Sequence, residues 1–256
     1  MKSTREIFYN HEGKLINKWD HYFEIYDRYF SKYVGQKVNI LEIGIAHGGS
    51  IQMWKKFFGD QVHVYAIDIN PACKELEEEN TTIFIGSQSD PVFLEKVKNE
   101  IPDLDIILDD GGHSMIQQKV SFNSLYSKVK DGGVYMVEDT HTSYWYEFHG
   151  GYKNKNSFIE FSKNLIDSLY EGHIKNESKL IVNDITRNIY SISFYDSIVV
   201  FEKKLRAKLS NLQKGQETIE MMADTTLRKL SIWEQIKKKF YGDNHETFGT
   251  NFKGKI

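Results

Sequence analysis

At 256 residues the chain has room for one large domain, or a domain with an appendage, and for a sizeable core. Apolar residues at 40% and aromatics at 14% place it with globular rather than disordered proteins. A formal charge of −3 argues against an electrostatic grip on nucleic acid, and a single cysteine, Cys73, excludes an internal disulfide and any cysteine-based metal site.

The amino terminus leads into no apolar signal core, and no run approaches the roughly 20 apolar residues of a membrane span, so a soluble, cytoplasmic protein is expected. Residues 5–34 carry Tyr22, Phe23, Tyr26, Tyr29, Phe30 and Tyr33 at helical spacing. That pattern predicts a helix laying an aromatic stripe on the main domain, with His21, Tyr22 or Tyr26 able to cover a ligand. From Val38 the pattern becomes strand and helix in alternation. Strands are predicted at 38–43, 62–67, 82–85, 104–108 and 134–137, and helices after Gly44–Ser50, over 72–79, 90–99 and 114–128. Such alternation implies a doubly wound, Rossmann-like parallel sheet, in which right-handed crossovers bring every strand-to-helix turn to one edge. Those turns hold Gly44–Ser50, Asp68, Gln88–Asp90, Asp109–His113 and Glu138–Asp139.

Residues 140–153 form a loop with His141, Trp145, Tyr146 and His149 beside Gly150 and Gly151, the composition of a substrate-facing surface. A helix is predicted over 155–171. Residues 189–201 read as two strands turned at Tyr195–Ser197, giving the sheet an antiparallel terminal hairpin and seven strands in all. After Glu202 the chain turns polar and Lys-rich, with a helix around 225–240 and a basic run, Lys237–Lys239, read as a solvated helix end.

Two constellations carry chemistry. In the first, Gly44-x-Ala46-x-x-Gly49 departs from the dinucleotide fingerprint at its second glycine, so it argues against a pyrophosphate. Glu42 within the preceding strand can accept from an ammonium, and Asp68 lies at the spacing where a carboxylate meets ribose hydroxyls. An adenosyl ligand with a positive group and no phosphates fits this pattern. In the second, Asp110, Glu138 and Asp139 end neighbouring strands with His113 close by. An all-carboxylate cluster suits Mg²⁺, Ca²⁺ or Mn²⁺ better than zinc, and without a cation the charges would raise one another's pKa. Tyr126-x-x-x-Lys130 matches the tyrosine–lysine pair of short-chain dehydrogenases, but it stands before the fifth strand where that pair belongs after it.

Together, Leu41-Glu-Ile-Gly-Ile-Ala-His-Gly-Gly-Ser50, Ile107-Leu-Asp-Asp-Gly-Gly-His113 and Val137-Glu-Asp-Thr-His-Thr-Ser-Tyr-Trp145 resemble the metal-dependent class I S-adenosylmethionine sugar O-methyltransferases, from about residue 16 to 203. The resemblance implies a methyltransferase domain over 1–203, with the N-terminal helical segment as a lid, and a polar helical extension over 204–256. It implies Mg²⁺ or another divalent cation on Asp110, Glu138 and Asp139, with His113 as general base. Glu42, Gly44 and Ser50 would surround the methionine part of S-adenosylmethionine, Asp68 the ribose, Gln88 the adenine and Asp109 the amino group. Tyr22, Ala46 and Gly48 are expected in the same cofactor-binding set. His141 adds a titratable group with no assigned role, the acceptor would be a sugar-containing small molecule, and a homo-oligomer is expected because relatives assemble. Catechol-type methyl transfer and a non-catalytic nucleoside-binding module remain the rival readings.

Overall fold

The structure is a computed structural model and describes residues 2–173, 183–206, 210–220, 231–233 and 235–236. It divides into two compact units, Met1–Leu169 with Val182–Arg206, and Tyr170–Ile181 with Ala207–Ile256. In the second unit the described residues are a short turn at Glu171–His173, an irregular stretch over 210–220, and helical residues at 232–233 and 235–236. The rest of the helix expected around 225–240, with Lys237–Lys239, lies outside the described residues.

The first unit is built on the expected seven-stranded sheet. Its strands are β1 (Val38–Ile43), β2 (Val62–Asp68), β3 (Thr81–Ile85), β4 (Leu104–Asp109), β5 (Val129–Val137), β6 (Ile189–Phe194) and β7 (Val199–Lys203), in the order β3-β2-β1-β4-β5-β7-β6. The first five run parallel, and β7 joins β5 and β6 antiparallel. Successive side chains on a strand face opposite ways, and both faces here are covered. Ile40, Val64, Ile106, Leu108, Val134 and Met136 pack one core, while Leu41, Ile43, Ile67, Ile107, Tyr135 and Val137 pack the other. That is why β1 and β4 read as almost continuous apolar runs.

The first core is roofed by α1 (Thr4–Tyr9), α2 (Tyr22–Phe30) and α3 (Gly49–Phe58), the second by α4 (Pro91–Glu100), α5 (Met115–Leu125) and α6 (Phe158–Asn164). Local chemistry sets the starts: Asp90 accepts from Val92 and Phe93 N–H ahead of Pro91, and Ser114 with Gln117 closes a capping box. Four expectations shift. Residues 5–34 are two helices separated by an irregular strap, because Asn10 and Gly13 break the first. Residues 72–79 wind only as a 3₁₀ turn over Pro71–Leu76. Residues 155–171 form two short helices, Phe158–Asn164 and Ile166–Leu169. The fifth strand starts at Val129, not 134, because Gly132 at φ +80° lets Asp131-Gly-Gly133 bulge within the strand beside a register shift on β4. Among the described residues no helix is long and apolar enough to cross a membrane.

The aromatic stripe of α2 locks onto α3. The Trp54 ring meets Tyr26, Phe30 and Phe58 at centroid distances of 5.3, 5.7 and 6.1 Å and is fully buried. Trp54→Ala is therefore expected to cost about 3–5 kcal/mol of stability. Denaturant unfolding checks this, and a loss below about 1 kcal/mol would mean that the stripe collapses to refill the space.

Candidate active site

Sheet register builds the site. Ile43, Ile67, Asp109 and Val137 lie side by side on β1, β2, β4 and β5, so the residues leaving that edge form one row. Gly44, Asp68, Asp110 and Glu138 make up that row, and it borders a crevice of about 460 Å³, within the ordinary range of small-molecule sites. Of the residues singled out from sequence, Gly44, Ala46, Ser50, Asp68, Gln88, Asp110, His113 and Asp139 line the crevice. Tyr22, Glu42, Gly48, Asp109 and Glu138 do not line it and support those that do.

The glycine-turn side of the crevice is held by hydrogen bonds to backbone N–H groups. Gly44 sits at φ +83°, and a Cβ there would lie 2.2 Å from the Asp110 carbonyl oxygen, so only glycine lets the two loops touch. Asp68 Oδ2 accepts from Ile45 and Ala46 N–H at 3.0 and 3.1 Å, and Oδ1 accepts from Asn70 N–H at 2.8 Å. Gln88 fastens the opposite loop: its Oε1 accepts from Gly112 N–H at 2.6 Å, and its Nε2 donates to Asp109 Oδ1 at 2.9 Å. Glu42 is fully buried beside the Trp54 indole; Ser50 Oγ donates to its Oε2 at 2.8 Å, while Oε1 meets no hydrogen-bond geometry among the described residues. Burial pushes the Glu42 carboxyl up to about 7 against the pull of Lys18, and burial likewise pushes Asp109 up to about 7 against the hydrogen bond from Gln88.

The acidic side divides two adjacent aspartates. Asp109 turns into the core under Gln88, with Tyr135 OH 3.4 Å away, whereas Asp110 turns to the crevice. His113 Nε2 lies 3.4 Å from Asp139 Oδ2 and 4.0 Å from Asp110 Oδ1, and its Nδ1 is buried without a partner among the described residues. Asp110, His113 and Asp139 each bring one donor atom within 4.8 Å of the others. His113 and Asp139 both adopt left-handed backbone, at φ +56° and +51°, a strain of about 1 kcal/mol or more each. The Thr142 hydroxyl shares its contacts between their carbonyl oxygens, both at 2.8 Å, and so pins the two strained turns together.

The N-terminal segment reaches into the same cluster. Tyr22 OH donates to Asp139 Oδ1 and Tyr26 OH to Glu138 Oε1, each at 2.6 Å. Between them the Lys18 ammonium, its side chain only 2% exposed, donates to Asp110 Oδ2 and to both Glu138 oxygens. Burial alone would lower Lys18, but Asp110, Glu138 and Glu42 carry it above its ordinary value, so it is a full positive charge. The carboxylates thus converge on a cation supplied by the chain itself. Beyond Asp139, His141 Nδ1 lies 4.0 Å from that carboxylate, with its ring between Trp145 and Trp19 at 4.7 and 6.0 Å.

No protein-family model matches the chain. The demethylmacrocin O-methyltransferase of Streptomyces fradiae is 32% identical over 207 residues, covering 76% of this chain and 52% of that enzyme. The 8-demethyl-8-alpha-L-rhamnosyl tetracenomycin-C 2'-O-methyltransferase of Streptomyces olivaceus is 29% identical over 204 residues, 77% of this chain and 53% of its own. Among solved structures, the methyltransferase MycE of the mycinamycin biosynthetic pathway, in complex with Mg and SAH, matches with a TM-score of 0.73. That match is 28% identical over 80% of this chain and 55% of MycE. A second MycE complex, which also holds mycinamycin VI, matches at 0.72. Over this half of their length the chain is similar in sequence and fold to these O-methyltransferases.

The seven-stranded sheet is accordingly the class I methyltransferase fold expected from the sequence. The chain spans about half the length of the curated relatives it matches, 52% and 53% of the two named. The residue of the site that sequence reasoning passes over is Lys18. A single lysine in Leu15-Ile-Asn-Lys-Trp19 carries no local signature of an ion pair with distant carboxylates. Gly13 is the available signal that the helix stops short of it.

Proposed function

We propose that the protein transfers a methyl group from S-adenosylmethionine to a hydroxyl of a sugar, with a divalent cation such as Mg²⁺ on Asp110, Glu138 and Asp139. The observation that carries this reading is the Lys18 ammonium: carboxylates from two strand ends already point at one positive charge beside the crevice. The donors are all carboxylate oxygens, the set a hard cation takes. The buried Glu42 Oε1, without a closed hydrogen bond among the described residues, offers the acceptor that a methionine ammonium needs on that side. When bound, the cofactor supplies the methyl group and Mg²⁺ supplies a Lewis acid for the alkoxide charge.

The chain's own residues do the rest. His113 Nε2 takes the proton from the sugar hydroxyl, and Asp139 Oδ2 at 3.4 Å stabilises the imidazolium that results. Tyr22 and Tyr26 hold Asp139 and Glu138 in place, so the acidic pair need not reorganise. Trp19, His141 and Trp145, the two tryptophans 56% and 46% exposed, form the aromatic surface next to Asp139 on which a sugar face can rest.

A second reading has an observation behind it: among the described residues Asp110, His113 and Asp139 gather three donor atoms within 4.8 Å of one another, which would make His113 a ligand instead of a base. The acceptor class is tested by incubating the protein with S-adenosylmethionine, Mg²⁺ and a panel of glycosides, nucleotide sugars and catechols. We expect a mass gain of about 14 Da, one methylene, on a sugar acceptor, and a lower apparent affinity for it in Trp145→Ala. Methylation confined to catechols would replace the sugar reading with the phenolic one.

A further inference from the structure

Residues 11–20, between α1 and α2, form an irregular strap across the start of α3. Lys14 N–H donates to Gln52 Oε1 at 2.9 Å, and the His11 ring bonds the Lys14 carbonyl at 2.7 Å. The strap presses so closely that a Cβ on Gly49 would stand 2.2 Å from the Lys14 carbonyl oxygen. Leu15, Ile16, Asn17 and Lys18 then form one wall of the crevice. The inner end of this wall is tied down by charge. Lys18 Nζ lies 3.0 and 3.2 Å from the two Glu138 oxygens and also bonds Asp110 Oδ2, with the Tyr26 ring 5.9 Å away.

A buried ammonium is tolerated only while its carboxylates stay ionised and close. A divalent ion held by the same oxygens would approach them to about 2.0–2.6 Å. Nζ occupies the space between those oxygens, and two cations there would repel each other across a short, poorly solvated gap. We propose that Lys18 is the protein's own cation at this site and that a divalent ion exchanges with it, releasing the inner end of the strap from Asp110 and Glu138. This rests on the assignment of Asp110 and Glu138 as cation ligands. It makes Lys18 a positioning residue: it keeps the two carboxylates converged when no ion is bound, and it couples ion loading to the wall of the cofactor crevice.

The test uses the whole chain and needs no substrate. Lysines are acetylated with an amine-reactive ester in EDTA or in Mg²⁺ and quantified by peptide mass spectrometry, with exposed Lys96 as the internal standard. Lys18 is expected to be protected in EDTA and to react about tenfold faster in saturating Mg²⁺, while Lys96 does not change. Calorimetric titration of Lys18→Met, which keeps the length and removes the charge, is expected to show Mg²⁺ binding about tenfold tighter, since the competing internal cation is gone. Lys18 that stays unreactive while calorimetry shows Mg²⁺ bound overturns the exchange and leaves the metal reading standing. Mg²⁺ that binds neither the wild type nor Lys18→Met overturns both. If Lys18→Met does not fold, the wild-type labelling decides alone.

Discussion

His113→Ala is expected to lower turnover by about 10²–10⁴-fold while cofactor binding stays near its wild-type value, the range for loss of a positioned general base. A sugar hydroxyl holds its proton tightly at neutral pH, so methylation needs that proton removed as the new bond forms. Imidazole is the side chain that titrates nearest neutrality. His113 is the base proposed for this step. Its Nε2 is on the crevice, 3.4 Å from Asp139 Oδ2, and its left-handed backbone aims the ring there at a cost the Thr142 contact offsets. Calorimetry with Mg²⁺ separates the two readings of this residue. A base leaves the ion's affinity nearly unchanged when it is removed, whereas a ligand takes most of the affinity with it. Turnover within a few-fold of wild type would remove His113 from the chemistry altogether.

Asp139→Asn is expected to reduce Mg²⁺ affinity by about 100-fold or more, since even partners outside the ligand shell cost roughly 10–100-fold. Turnover should fall in parallel. The substitution keeps the side chain's shape, and its Oδ1 can still accept from Tyr22 OH, now 2.6 Å away, so the fold has no reason to suffer. The strained backbone at φ +51° is also tolerated by asparagine. Unchanged thermal stability together with lost ion binding is thus the signature of a ligand. Ion affinity within a few-fold of wild type would move the cation away from Asp139.

Much of this site is legible in the sequence because strand ends are legible. The apolar runs at Ile40–Ile43, Leu104–Leu108 and Val134–Val137 each stop at an acidic or glycine residue, and parallel register then gathers those stops on one edge. The opposite destinations of Asp109 and Asp110 follow from strand alternation: one residue's step sends one side chain to the second core and the next to the crevice. Asn10 and Gly13 mark the break in residues 5–34 and Gly132 the bulge, whereas the place of Lys18 depends on contacts between segments far apart in sequence. Lys18 reaches Glu138 across 120 residues, and no local periodicity encodes such a pairing. By sequence Glu138 is one of three equivalent carboxylates, yet it faces inward to Lys18 and Tyr26 while Asp110 and Asp139 face the crevice. Burial and the Asp110 charge hold the Glu138 carboxyl well above the usual carboxylate range, and Lys18 and Tyr26 from the N-terminal segment only partly offset them.

The carboxylates at the ends of β4 and β5 are proposed to serve a divalent cation on which methyl transfer depends. That dependence is tested most directly by measuring transfer from S-adenosylmethionine to a sugar acceptor in excess EDTA, and again after Mg²⁺ is restored. Activity should vanish in EDTA and return with Mg²⁺. Transfer that continues undiminished in EDTA would contradict it.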